Sequence, residues 1–121
     1  MNAAGSAQAQ PVKVAEIDDV EPGSTMLIEA AVAGTEDDIA LIRDEDGTYY
    51  ALDDTCSHEV ASLSDGWVEE GAIECPMHAS QFNLKTGWPM CLPATKPVRT
   101  HAVEIRDAEV WLVPSLDSPA S

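Results

Sequence analysis

Four residues in the middle of the chain have the types and the spacing to hold metal. Cys56-Ser57-His58 is a C-x-H pair and Cys75-Pro76-Met77-His78 a C-x-x-H pair, with sixteen residues between His58 and Cys75. Each short segment offers one thiolate and one imidazole. If two loops carrying them face each other, the cysteines can meet at one iron and the histidines at a second, with two sulfides bridging the metals. A tetrahedral zinc ion held by the same side chains is the plain alternative, since two cysteines and two histidines are an accepted zinc set. Zinc fingers, however, generally pair cysteine with cysteine and histidine with histidine along the chain, and here each pair is mixed. A Cys56–Cys75 disulfide beside two surface histidines is a third reading. With three cysteines in the chain, an odd number, thiols or metal ligands in a reducing compartment are the better expectation.

Loops of this kind need a rigid frame, and the flanking sequence supplies short β-type runs separated by turn signals. Strands are expected from Val12 to Ile17, Thr25 to Val32 and Ile39 to Arg43. The last of these ends at Asp44-Glu45-Asp46-Gly47, a strong hairpin turn, and Thr48 to Leu52 returns. Trp67-Val68 and Ile73-Glu74 flank a second hairpin at Glu69-Glu70-Gly71-Ala72. Thr100 to Arg106 turns at Asp107-Ala108 into Val110 to Val113. No window carries a long helical period. At 121 residues the chain is expected to be one all-β domain over residues 12–114, between flexible tails at 1–11 and 115–121. The stretch 55–97 differs from the rest: rich in Gly, Pro, Cys and His, it reads as a loop-built site set into a β scaffold.

The motifs, taken together, resemble the Rieske ferredoxin family. The resemblance rests on Cys56-Ser57-His58-Glu59-Val60-Ala61, Leu63-Ser64-Asp65-Gly66, Cys75-Pro76-Met77-His78-Ala79-Ser80-Gln81-Phe82-Asn83, Thr86-Gly87 and Pro93-Ala94, which run in the family's order and spacing. It covers roughly residues 12–114 and is strongest to the ferredoxin component of bacterial biphenyl-type aromatic-ring dioxygenase systems. It implies stacked antiparallel sheets and one Rieske-type [2Fe–2S] cluster on Cys56, His58, Cys75 and His78, with the histidines on the outer iron. Pro93-Ala94 matches a proline loop that covers the cluster from a third side. The implied function is one-electron transfer, from an NAD(P)H-dependent flavoprotein reductase to a terminal Rieske non-haem iron oxygenase. The implied protein is a cytoplasmic monomer and not itself an enzyme. A small subunit of a nitrite reductase-type complex is the alternative.

The sequence departs from the high-potential members of that family. Where they carry an extra, disulfide-bonded cysteine in each ligand loop, this chain has Ala61 and Met77, and where they place a tyrosine it has Phe82. Ser80 matches their serine, while Ala79 replaces a frequent glycine. Fewer hydrogen bonds to sulfur and an acidic surround disfavour the added electron, so a midpoint of about −150 mV, at the low end of the Rieske range, is expected.

Charge narrows the partners. Six basic residues face 22 acidic ones, a net charge of −16, which opposes nucleic-acid binding. The same excess favours steering toward basic docking surfaces on proteins. No stretch approaches the length of apolar residues that a membrane span needs, and Met1 to Gln10 lacks the features of a secretory signal. Cys91 is expected to be a small buried residue, His101 a satisfied or exposed strand histidine, Trp67 and Trp111 core or sheet-surface aromatics, and Trp88 a packing aromatic. Asp44, Asp46 and Asp53 mimic part of a calcium loop, but Ile42 stands at its first ligand position. With only His101 to spare, the chain lacks the histidines for a mononuclear 2-His-1-carboxylate iron site.

Overall fold

The computed structural model describes residues 10–55, 61–76, 80–90 and 97–115. Nine strands form two antiparallel sheets among these residues. In chain order they are β1 (Val12–Glu16), β2 (Ser24–Ile28), β3 (Ile39–Arg43), β4 (Tyr49–Asp53), β5 (Trp67–Glu69), β6 (Ala72–Glu74), β7 (Gln81–Asn83), β8 (Thr100–Arg106) and β9 (Glu109–Val113). A six-stranded sheet runs β1-β9-β8-β4-β3-β2, and a three-stranded sheet runs β5-β6-β7.

The pattern of β3 explains the layering. Ile39, Ala40, Leu41 and Ile42 are all fully buried, so this strand is covered on both faces. Because side chains alternate along a strand, Ala40 and Ile42 point to one apolar cluster, Ile39 and Leu41 to another. The first cluster lies between the sheets, where Leu52 of β4 meets Ile73 of β6 and Phe82 of β7. The second lies on the opposite face with Tyr49 and Ala51 of β4, Val110 and Leu112 of β9, and Ala15 of β1. Complete burial of each large apolar side chain contributes about 1.5–3 kcal/mol, so the small sheet is anchored chiefly through Ile73 and Phe82.

The expected hairpins form where the turn residues stand. Asp44 N donates to Thr48 O at 2.8 Å and Gly47 N to Asp44 O at 2.9 Å, closing the β3–β4 turn. Asp107 and Ala108 both take positive φ, 49° and 65°, as a two-residue turn matched to the strand twist requires. One strand is shorter than the sequence suggests. The run expected from Thr25 to Val32 leaves the sheet at Ile28, and Ala30–Ala33 forms a single helical turn, α1. Its small residues have little sheet preference, and Asp38 Oδ1 accepts the Ala30 N–H at 2.8 Å, fixing the helix start. Strand β7, not anticipated from sequence, is three residues long and pairs with β6.

Candidate metal centre

The described residues hold the roots of both ligand motifs. The first loop leaves β4 through Asp53, Asp54 and Thr55. It returns at Ser62, which pairs with Thr55 in an isolated antiparallel bridge. Leu63 N donates to Asp54 O at 2.7 Å and Ser64 N to Asp54 Oδ1 at 2.8 Å, while Ser62 Oγ donates to Asp54 Oδ2. On the outer side, Asp37 accepts from Thr55 N and Thr55 Oγ1. The returning chain then makes a 3-10 turn, Leu63–Asp65, whose Leu63 is fully buried in the inter-sheet cluster.

The second loop is the tip of the β6–β7 hairpin. Glu74 pairs with Gln81, and Cys75 N donates to Ser80 O at 2.7 Å. Cys75 and Ser80 are both fully buried. Cys75 belongs to the same apolar cluster as Leu63 and Phe82, with Ala61 packed against it. The stems of the two motifs thus rest on one core.

A third segment joins them. Asn83 N donates to Trp88 O, Phe82 pairs with Pro89, and Met90 N donates to Gln81 O at 2.7 Å. The chain after Met90 therefore departs level with Gln81, beside the second loop, and comes back where Val98 N meets Gly87 O at 2.9 Å. Two glycines permit these approaches. A Cβ on Gly66 would stand 1.9 Å from Glu74 O, and one on Gly87, at φ +78°, would stand 2.1 Å from Val98 O. No other residue fits at either position, which gives a physical reason for the Gly66 and Gly87 positions of the family pattern.

Cys75 is the one expected ligand that the described residues include. Cys56, His58, His78, Cys91, Pro93 and Ala94 lie outside them, as does Met77. His101 is elsewhere and fully engaged: its Nδ1 accepts the Ser115 N–H at 2.8 Å and its Nε2 meets Asp53 Oδ1 at 2.8 Å. Since Nδ1 accepts, the ring proton sits on Nε2 and is donated to Asp53. The strand-histidine expectation holds. The calcium-like acids are dispersed, with Asp44 bonded to Gly71 N, Asp46 to Thr48 N and Asp53 to His101. The Thr48 amide lowers the Asp46 carboxyl below its usual range. Trp88 is 38% exposed, so the packing role expected for it is not what the structure has. The backbone bonds of its segment to β7 hold it out beside Met90, which is also exposed.

The arrangement suits a cluster enclosed by protein on its thiolate side. A fully buried cysteine on an apolar bed is a soft donor in a dry setting. The model of the Rieske [2Fe–2S] domain matches residues 10–102. This chain belongs to that family. Its cofactor is accordingly a Rieske-type [2Fe–2S] cluster, and the zinc and disulfide readings fall away. The chain is 46% identical over 79 residues to a 3-phenylpropionate/cinnamic acid dioxygenase ferredoxin subunit of Photorhabdus laumondii, a span of 64% of this chain and 74% of that one. Among solved structures, the ferredoxin of carbazole 1,9a-dioxygenase from Nocardioides aromaticivorans IC177 superposes with a TM-score of 0.78 at 35% identity, covering 88% of this chain and 100% of that one. A ferredoxin chain in a complex of reduced oxygenase and oxidized ferredoxin in carbazole 1,9a-dioxygenase gives 0.78 at 32% identity, covering 92% and 97%.

The sequence missed Asp54 and its hydrogen bonds. The available signal was an aspartate two positions before Cys56, an expected ligand, with serines following the loop, a combination that favours side-chain bonds to backbone N–H groups.

Proposed function

We propose that Cys56, His58, Cys75 and His78 hold the [2Fe–2S] cluster. In this reading the chain carries single electrons from an NAD(P)H-dependent flavoprotein reductase to a terminal Rieske non-haem iron oxygenase acting on aromatic rings. The observation that carries the reading is the shared bed: Cys75, the fully buried root of one motif, and Leu63, the root of the other, lie in one apolar cluster. When bound, the cluster supplies a centre that takes up and gives back one electron. The chain's own residues do the rest. Phe82, Leu63 and Ile73 exclude water from beneath the cysteine, and the Thr55–Ser62 and Cys75–Ser80 pairings fix the two loops.

The relatives described above are ferredoxins named for dioxygenase systems, which supports the carrier role over a nitrite reductase subunit. His101, tied to Asp53 and Ser115, is not available as an iron ligand, which further supports a carrier over an oxygenase. Among the described residues no helix is long and apolar enough to cross a membrane. The net charge of −16 favours brief encounters steered by basic surfaces on the partners. The test is reconstituted electron transfer from reductase through this chain to oxygenase, measured against ionic strength. Rates should fall steeply as salt rises. Rates unchanged between low and high salt would refute electrostatic docking, and failure to accept electrons from any such reductase would refute the role.

A further inference from the structure

We propose that Asp54 is the positioning residue of the first ligand loop and that its charge helps hold the cluster's potential low. The inference rests on the ligand assignment just made. Asp54 is buried, yet its carboxylate accepts two bonds from the far side of the loop: Ser64 N to Oδ1 at 2.8 Å, and Ser62 Oγ to Oδ2. Its main chain is held as well, with Asp54 N donating to Asp38 O at 2.8 Å and Leu63 N donating to Asp54 O at 2.7 Å. Ser62 and Ser64 hydroxyls lie 2.8 Å apart, so one hydroxyl can relay its bond to the other. The result is a clasp that joins the outgoing and returning ends of the loop carrying Cys56 and His58. Four polar attachments at one residue leave the loop's span little freedom to change.

The same residue is near the proposed ligand Cys56 along the chain. Asp54 stands two positions before Cys56, with Thr55 between them, so their Cα atoms are at most about 7 Å apart. Among the described residues no lysine or arginine forms an ion pair with it. A buried, unpaired charge is little screened by solvent or salt. Reduction adds one electron to the cluster and makes or breaks no bond, so a fixed negative charge nearby opposes it. Outer groups of this kind tune metal centres as well as orient their ligands.

The experiment uses the holo protein and four variants. D54N keeps the shape and an acceptor for Ser64 N–H but removes the charge. D54A removes both, S62A removes one arm of the clasp and keeps the charge, and D65N removes an exposed charge from the neighbouring 3-10 turn as a control. Midpoints are read by voltammetry, and loop security by the rate of iron release to a chelator. D54N should raise the midpoint clearly more than D65N while keeping the visible spectrum. D54A and S62A should release iron several-fold faster, with the S62A midpoint close to the unmodified protein's. A D54N midpoint no higher than that of D65N overturns the charge role, and unchanged iron release in both D54A and S62A overturns the clasp. S62A decides the clasp even if D54N assembles poorly. The ligand assignment is tested apart by C56S: a variant that retains iron and sulfide counts against that assignment, whereas an unmoved D54N midpoint alongside a cluster-free C56S counts against Asp54 alone.

Discussion

Three glycine-to-alanine substitutions separate backbone strain from collision, because the structure distributes the two causes among three sites. Gly34 ends α1 at φ +74° with nothing within 4 Å of an added Cβ. Alanine there costs only the left-handed penalty, about 1 kcal/mol. Gly66 is the converse: its φ of −87° suits any residue, but the Cβ would stand 1.9 Å from Glu74 O. Overpacking of this kind costs about 1–3 kcal/mol, and here the neighbour is backbone and cannot swing away. Gly87 combines a φ of +78° with a Cβ 2.1 Å from Val98 O, and relief would break the Val98 N–Gly87 O bond as well. Its loss should be about 3–5 kcal/mol, a large share of the roughly 5–15 kcal/mol that holds a domain folded. Urea unfolding of the holo forms, followed by tryptophan fluorescence and by visible absorption, measures both stability and the cluster. Gly66→Ala and Gly87→Ala should also weaken cluster retention, since Gly66 abuts the residue before Cys75 and Gly87 roots the third segment. Equal losses at all three sites, or a Gly34→Ala cost matching that of Gly87→Ala, would refute the collision argument.

Phe82→Ala should cost about 3–5 kcal/mol and shed iron, because the ring is fully buried beneath Cys75; near-unchanged stability in urea would contradict that packing. Ala108→Gly should stabilise by about 1 kcal/mol, read as a higher unfolding midpoint, since alanine at φ 65° carries the left-handed penalty. Burial raises the Tyr49 hydroxyl above its usual 10.0, so the folded state holds that proton longer than the unfolded chain does. Stability from this group is complete below pH 10.0 and declines as pH rises through the folded value. Tyr49→Phe should flatten that alkaline decline while costing about 1 kcal/mol at neutral pH through the lost bond to Ile17 O; an unaltered alkaline profile would count against it. Voltammetry of the unmodified protein should give a midpoint of about −150 mV, whereas a value clearly above zero would show that hydrogen bonds to sulfur outweigh the acidic surround and Phe82.

Much of the frame was legible because its signals are local. The apolar run Ile39-Ala40-Leu41-Ile42 marks a strand covered on both faces, and Asp44 to Gly47 and Asp107-Ala108 are turns with their own chemistry. The strand ending at Ile28 is shorter than its sequence suggests because Ala30, Ala31 and Val32 beyond it fit a strand pattern as readily as a helical turn. What decided the matter was Asp38, eight residues further on, bonding to Ala30 N. Strand β7 was hidden for a related reason: three residues carry no periodicity, and its pairing with Ala72–Glu74 comes from the hairpin's tertiary setting. At the site, ligand types and spacing stood in plain view. The Asp54 clasp and the glycine contacts did not, since each depends on a neighbour brought in by folding.

The most direct test of the central claim is quantitation of iron, zinc and acid-labile sulfide in protein purified without oxygen. A [2Fe–2S] centre requires two irons and two sulfides per chain and no zinc, with the visible colour of an iron–sulfur protein. One zinc per chain in a colourless, sulfide-free protein would contradict the account.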